Sequence, residues 1–144
     1  MPVLRSAGII FYRNTPDGRR YLILRSSKHI TARSDYWDLP KGELEAKEKG
    51  IDAARREARE EAGIEDFSLI DEFKFTAQYF SRREGESIPK YVAVFLANTD
   101  QEEITLSWEH DAYEWATLEE ATKKLTTMKE AIKKADEFLS KKSV

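Results

Sequence analysis

The hydrophobic pattern of the chain changes period several times, and each change marks an element. Residues 3–13 (Val-Leu-Arg-Ser-Ala-Gly-Ile-Ile-Phe-Tyr-Arg) are rich in β-formers and break at Thr15-Pro16-Asp17-Gly18, a turn sequence. Tyr21-Leu22-Ile23-Leu24 follows at once, so the two runs predict a hairpin. Residues 26–36 are polar and irregular and predict a loop, in which His29 is a lone histidine with no expected role. Pro40 and Gly42 exclude a regular helix from Trp37 to Lys47. From Lys49 to Ala62 the residues suit a helix, with Gly63 as its stop. Residues 67–80 and 90–97 are two further β-rich runs, and the polar stretch Ser81–Ser87 predicts a second, longer hairpin connection. Tyr113-Glu114-Trp115 reads as a short strand, and 118–124 and 128–141 as helices.

The last helix is amphipathic. Met128, Ala131, Ile132, Ala135, Phe138 and Leu139 recur every three or four residues and form one stripe. Lys129, Lys133, Lys134, Lys141 and Lys142 occupy the other face, offset by Glu130, Asp136 and Glu137, which favours a packed surface helix over a membrane-bound one. Strands, helix, strands, helices is the order of an α/β fold, a mixed sheet flanked by helices.

Composition narrows the classes. A length of 144 residues is that of one domain, and 40% hydrophobic residues suffice for a core. The absence of cysteine removes disulfides, thiolate metal sites and cysteine nucleophiles, and fits a cytoplasmic protein. No signal peptide or membrane span is expected from the apolar runs. A net charge of −3 carries no general nucleic-acid footprint. The expected partner is a small molecule, with neither membrane nor nucleic acid, and the expected state is a monomer.

The chemistry concentrates between Gly42 and Ile64. On a helical wheel Ile51, Ala54, Ala58 and Ala62 share an arc about 80° wide, a small-residue face that can lie close to a sheet. Glu57, Glu60 and Glu61 share a neighbouring arc about 100° wide. Like charges at i and i+4 cost a few tenths of a kcal/mol in an isolated helix. A hard cation between them reverses that penalty, since Mg²⁺ takes oxygen ligands from a few carboxylates, phosphates and water. The tight turn Leu39-Pro40-Lys41-Gly42 brings backbone carbonyls and a lysine to the start of this region.

Gly42, five residues, Glu48, seven residues, then Arg56-Glu57-Ala58-Arg59-Glu60-Glu61-Ala62-Gly63-Ile64 resembles the box of the Nudix hydrolases at every defining position. Two departures are mild: Ala58 is small for its apolar slot, and Glu45-Ala46-Lys47-Glu48 replaces the common Glu-Pro-Gly-Glu. The resemblance spans nearly the whole chain. It implies one Nudix domain over residues 1–144, with its box at 42–64, folded as an α/β/α sandwich with a mixed sheet. It also implies Mg²⁺-dependent hydrolysis of a nucleoside diphosphate linked to another group, with Mn²⁺ as an alternative ion. Glu57, Glu60 and Glu61 then become metal-binding carboxylates and the Gly42 carbonyl a further ligand. Arg56 and Glu48 become supporting residues, the guanidinium fixing a carboxylate through paired hydrogen bonds. Arg56 is grouped with Glu57, Glu60 and Glu109 as the catalytic set, either Glu57 or a later-loop glutamate being the base.

Residues outside the box bear on the substrate. Ser107-Trp108-Glu109-His110, with Trp115 five residues after the histidine, resembles a segment of asymmetrical diadenosine tetraphosphate hydrolases. There Glu109 matches a metal ligand or base, and His110 is either a phosphate contact or a loop histidine. Lys90, after Pro89, matches a lysine directed at phosphates, and Lys41 is a second cationic candidate. Tyr79 matches an aromatic that stacks on adenine, but Thr127 stands where its partner aromatic is expected, leaving Trp37 or Trp108 as another wall. Diadenosine tetraphosphate cut to ATP and AMP is the leading substrate. ADP-ribose, a nucleoside triphosphate or an RNA 5′ end is the alternative, and the charge of −3 does not favour RNA. A non-catalytic nucleotide-binding module would have lost a box carboxylate or Arg56, and none is lost.

Overall fold

A computed structural model describes residues 3–27 and 35–142. His29 and most of the 26–36 loop lie outside the described residues. The elements run β1 (Leu4–Thr15), β2 (Gly18–Ser26), β3 (Trp37–Asp38), β4 (Lys41–Glu43), α1 (Gly50–Ala62), β5 (Ser68–Leu69), β6 (Phe75–Arg83), β7 (Glu86–Asn98), β8 (His110–Ala116), α2 (Leu118–Lys124) and α3 (Lys129–Lys142).

The strands form one mixed sheet with β1 at its centre. β1 runs parallel to β7, from Leu4 opposite Lys90 to Tyr12 opposite Asn98. On its other edge it pairs antiparallel with β2 at one end and with β4 at the other. β2 carries β3 and β8, and β7 carries β5 and β6.

Alternation along β1 sends its side chains to two cores. Ala7, Ile9 and Phe11 meet Ala53, Ala54, Ala58 and Ala62 of α1. Ile10 and Tyr12 face the other way, into a core closed by Ala121, Leu125, Met128, Ile132 and Leu139. Helices thus cover both faces of the sheet, the α/β/α sandwich that the sequence implied. The alanine face of α1 permits its close approach, and Ile51 at its first turn is only half-buried. The apolar stripe of α3 is buried as the periodicity predicts, which accounts for its amphipathicity by packing.

Two expectations need correction. The run 67–80 is not continuous: the Ile70 N–H joins the Leu96 carbonyl and the Phe73 N–H returns to Ile70, so the chain turns at Asp71-Glu72 between β5 and β6. The polar stretch Ser81–Ser87 is mostly strand. The β6–β7 ladder continues to Arg83 opposite Glu86 and reverses in two residues, Glu84 (φ 51°) and Gly85 (φ 81°). Two successive positive φ angles match the right-handed twist of a hairpin, and polarity there reflects exposure, not irregular backbone. Pro89 is tolerated inside β7 because pairing with β1 begins only at Lys90.

Candidate active site

α1 lays its carboxylates along the edge of the turn at 39–42. It begins after Lys49 and stops at Gly63, whose φ of 67° is left-handed and whose N–H reaches the Arg59 carbonyl. The turn is anchored to the sheet by the Ile9 N–H on the Pro40 carbonyl (3.2 Å). Gly42 lies directly beneath Glu57: a Cβ at this position would fall 2.1 Å from Glu57 Oε2. Only glycine lets the carboxylate lie against the backbone there.

Arg56 organises one half of the site. Its Nε and Nη2 donate to the two oxygens of Glu48 at 2.9 and 3.0 Å, the paired geometry a guanidinium favours. Nη1 donates to Glu57 Oε2 (2.9 Å) and Glu60 Oε1 (3.1 Å), and Nη2 to the Glu43 carbonyl (3.1 Å). The doubly bonded carboxylate is therefore Glu48, while Glu57 and Glu60 share one nitrogen. These bonds, with one from the Glu45 N–H, hold the Glu48 carboxyl down to about 2. Glu57 moves the other way: burial raises it, Arg56 opposes, and Glu60 and Glu109 raise it further.

The other half surrounds a cavity of about 440 Å³. Lys41, Glu61, Lys90, Glu109 and His110, all singled out in the sequence, lie on its wall. Glu61 is buried and accepts the Lys41 backbone N–H at 3.0 Å. Burial, then Glu57, with smaller contributions from Glu109 and Asp38, pushes its carboxyl up to about 9 against that one hydrogen bond. Burial alone would lower the Lys41 ammonium, but Asp38 at 3.0 Å and the Tyr79 hydroxyl at 3.2 Å hold it above its ordinary value. Burial lowers the His110 imidazole despite Glu109, Asp38 and Asp111. The loop carrying Glu109 is tied to the residue that follows β2 by the Ser27 N–H on the Glu109 carbonyl (2.8 Å).

Tyr79 is half-buried between the two amines, with Lys41 Nζ and Lys90 Nζ at 5.9 and 5.8 Å from its ring centre. Thr127 lies in the turn between α2 and α3. Trp37 is buried against that core and Trp108 is 71% exposed.

Three charged cavity residues escaped the sequence reading: Asp38, Glu43 and Arg83. Asp38 was legible, since an acid three residues before Lys41 in a tight turn is a natural partner for a buried ammonium. Glu43 and Arg83 are 40 residues apart and meet only in the fold.

The oxygen donors fit a hard divalent cation. Buried Glu61 and half-buried Glu57 repel each other, Glu109 adds to both, and the Gly42 backbone is open to the carboxylate above it. Among the described residues no three carboxylates or histidines stand at metal-ligand spacing. Arg56 draws Glu57 and Glu60 to itself, and the Lys41 N–H holds Glu61.

A profile of the NUDIX domain matches residues 3–138. The chain belongs to the NUDIX domain family. This Nudix chain is 33% identical to the asymmetrical bis(5′-nucleosyl)-tetraphosphatase of Mus musculus, over 94% of its own length and 95% of the relative's. It superposes on a Caenorhabditis elegans Ap4A hydrolase binary complex with a TM-score of 0.80 at 30% identity, covering 96% and 98% of the two chains. Over 55% of its length it is 36% identical to an RNA pyrophosphohydrolase of Bartonella henselae, of which that match covers 46%. Nudix hydrolases generally use a divalent metal such as Mg²⁺. No described helix is long and apolar enough to cross a membrane.

Proposed function

We propose that this Nudix hydrolase is a cytoplasmic, Mg²⁺-dependent enzyme that cleaves diadenosine tetraphosphate asymmetrically to ATP and AMP. It acts on a pyrophosphate bond. The observation that carries the reading is the cavity itself, where Lys41, Lys90, Glu61 and Glu109 line one space large enough for a phosphate chain. Its cations bind phosphates, and its carboxylates hold the metal that offsets their charge.

Glu57, Glu60, Glu61, Glu109 and the Gly42 carbonyl are the metal donors in this reading. Bound Mg²⁺ supplies charge neutralisation and lowers the pKa of water. Arg56 and Glu48 keep the donors positioned. Lys41, anchored by Asp38, presents a fixed positive charge, Lys90 orients the chain, and His110 contacts a phosphate. Tyr79 offers its ring to a base. Relatives of matching length named as asymmetrical tetraphosphatases support the same substrate.

Purified protein with Mg²⁺ should be offered diadenosine tetraphosphate, ADP-ribose, deoxynucleoside triphosphates and 5′-triphosphorylated RNA, with products separated. ATP plus AMP as main products supports the reading, and two ADP overturns the asymmetrical cut. The match to an RNA pyrophosphohydrolase makes RNA the arm to compare. Faster release of pyrophosphate from RNA would transfer the chain to that substrate.

A further inference from the structure

The three cations on the cavity wall are held very differently. The Lys41 side chain is nearly buried, and moving it would leave the Asp38 carboxylate without its cation, held by the Leu39 N–H. The Lys90 amine leans on the Tyr79 ring. Arg83 stands at the tip of β6, half exposed, and its guanidinium meets the Glu43 carboxylate, itself 43% exposed. Ion pairs this exposed add little to stability, so the guanidinium can change partner at small cost. Phosphate oxygens offer it the same paired acceptor geometry as a carboxylate.

The strand fixes where Arg83 stands. Tyr79, Ser81 and Arg83 alternate onto one face of β6, and at about 3.3 Å per residue Arg83 lies about 13 Å beyond Tyr79. The tight reversal at Glu84-Gly85 makes this reach possible, because the ladder stays regular to its last pair. A shorter ladder would not carry Arg83 to the cavity lining.

We propose that Arg83 sets the phosphate-chain-length preference of the site, exchanging Glu43 for the phosphate furthest from a base held at Tyr79. This assignment rests on reading the cavity as a polyphosphate site. It makes Glu43 a placeholder that keeps the guanidinium aimed at the mouth until a chain of sufficient length arrives. Short chains end before reaching it.

The test measures binding of the methylene analogues of ADP and ATP, which carry the base and resist hydrolysis, by calorimetry with Mg²⁺ present, for wild type, Arg83→Ala, Arg83→Lys and Glu43→Gln. Arg83→Ala should weaken the ATP analogue about tenfold, the scale of one charge-assisted contact, and the ADP analogue less than twofold. Arg83→Lys should recover part of the loss, and Glu43→Gln should tighten the ATP analogue by removing the competing acceptor. Equal losses for both probes, no loss, or no binding of either probe by the wild type overturns the assignment. Diadenosine tetraphosphate hydrolysis is followed in parallel. A wild type that cleaves it while Arg83→Ala binds both probes normally keeps the proposed substrate and removes this role. Selective loss of the ATP analogue in a protein that leaves diadenosine tetraphosphate intact does the reverse.

Discussion

Glu48 and Glu61 are the same side chain on opposite sides of one constellation, and they are driven in opposite directions. Glu48 receives two bonds from Arg56 and one from the Glu45 N–H, and its carboxyl falls to about 2. Glu61 receives one backbone N–H, lies buried beside Glu57, and rises to about 9. The Arg56 half is electrostatically satisfied by the chain itself. In the cavity half Glu61 has, among the described residues, no cation on its carboxyl, so burial and the neighbouring acids hold it toward its neutral form, and an added cation would favour its charge. A site that binds a cation and a polyanion needs both: a rigid frame, and a place where added positive charge is favourable.

The largest effect expected from breaking this contrast is on turnover. Glu57→Gln and Glu60→Gln keep shape but remove charge from the two carboxylates that share the Arg56 Nη1. Each should lower kcat at least ~10²-fold if they hold the metal. Folding should survive, since relieving like charge on one helix face offsets a lost hydrogen bond. Near wild-type turnover in both variants would overturn the metal assignment. Arg56→Lys comes next. A point charge cannot reproduce the paired bonds to Glu48 together with those to Glu57 and Glu60. Thermal denaturation should show a Tm several degrees lower, with kcat reduced alongside. An unchanged Tm would mean that the frame does not depend on this guanidinium.

A smaller effect should appear in the pH dependence of stability without metal. The folded Glu61 carboxyl sits above its ordinary value, so between about 4.5 and 9 the folded protein keeps a proton that the unfolded chain releases. Stability falls as pH rises through that window. In EDTA, Glu61→Gln should therefore raise Tm at pH 8 more than at pH 5. Mg²⁺ should raise the wild-type Tm at pH 8 and raise that of Glu61→Gln less. Glu48 has the opposite sign: its contribution is present above about 4.5 and is lost as pH falls toward 2. Equal pH profiles for Glu61→Gln and wild type would show that the charge on Glu61 is already compensated.

How much of this could be read from the chain depends on whether the signal is local. α1, its glycine stop and the shared face of Glu57, Glu60 and Glu61 follow from helical periodicity. The Arg56–Glu60 pair follows from spacing alone. The helix faces that close the two cores were legible from the small-residue arc of α1 and the stripe on α3, whereas Ala7–Tyr12 is apolar throughout and does not say which residue faces which core. Of the residues singled out beyond the box, four, Lys41, Lys90, Glu109 and His110, line one cavity with Glu61 of the box. What was lost is relational. Nothing local distinguishes strand from loop in Ser81–Ser87, because an exposed two-stranded tip is polar whichever way it folds. Arg83 and Glu43 meet only after β7 aligns with β1 and β4 docks beside it. Glu61 was singled out with Glu57 and Glu60, but its burial was not legible, since it comes from the 39–42 turn, whose Lys41 N–H it accepts.

The smallest effects test the nucleotide end. Water attacking a phosphorus near one end of diadenosine tetraphosphate should place ¹⁸O in a single product, and AMP is the one expected, because ATP held by metal is the better leaving group. Tyr79 contacts the cavity half alone: its hydroxyl accepts from Lys41, and its ring lies near the Lys90 amine. If the ring stacks on a base equally in ground and transition states, Tyr79→Ala should raise KM by about three- to tenfold with kcat little changed, the scale of one stacked base. Tyr79→Phe separates the ring from the hydroxyl. It keeps the stacking surface and removes one acceptor from Lys41, which Asp38 still holds at 3.0 Å. Its KM should therefore stay within about twofold of wild type, less than the cost of a lost charge-assisted contact. A Phe variant as impaired as Ala would place the role of Tyr79 in steadying Lys41, and the base would then have to find its wall elsewhere.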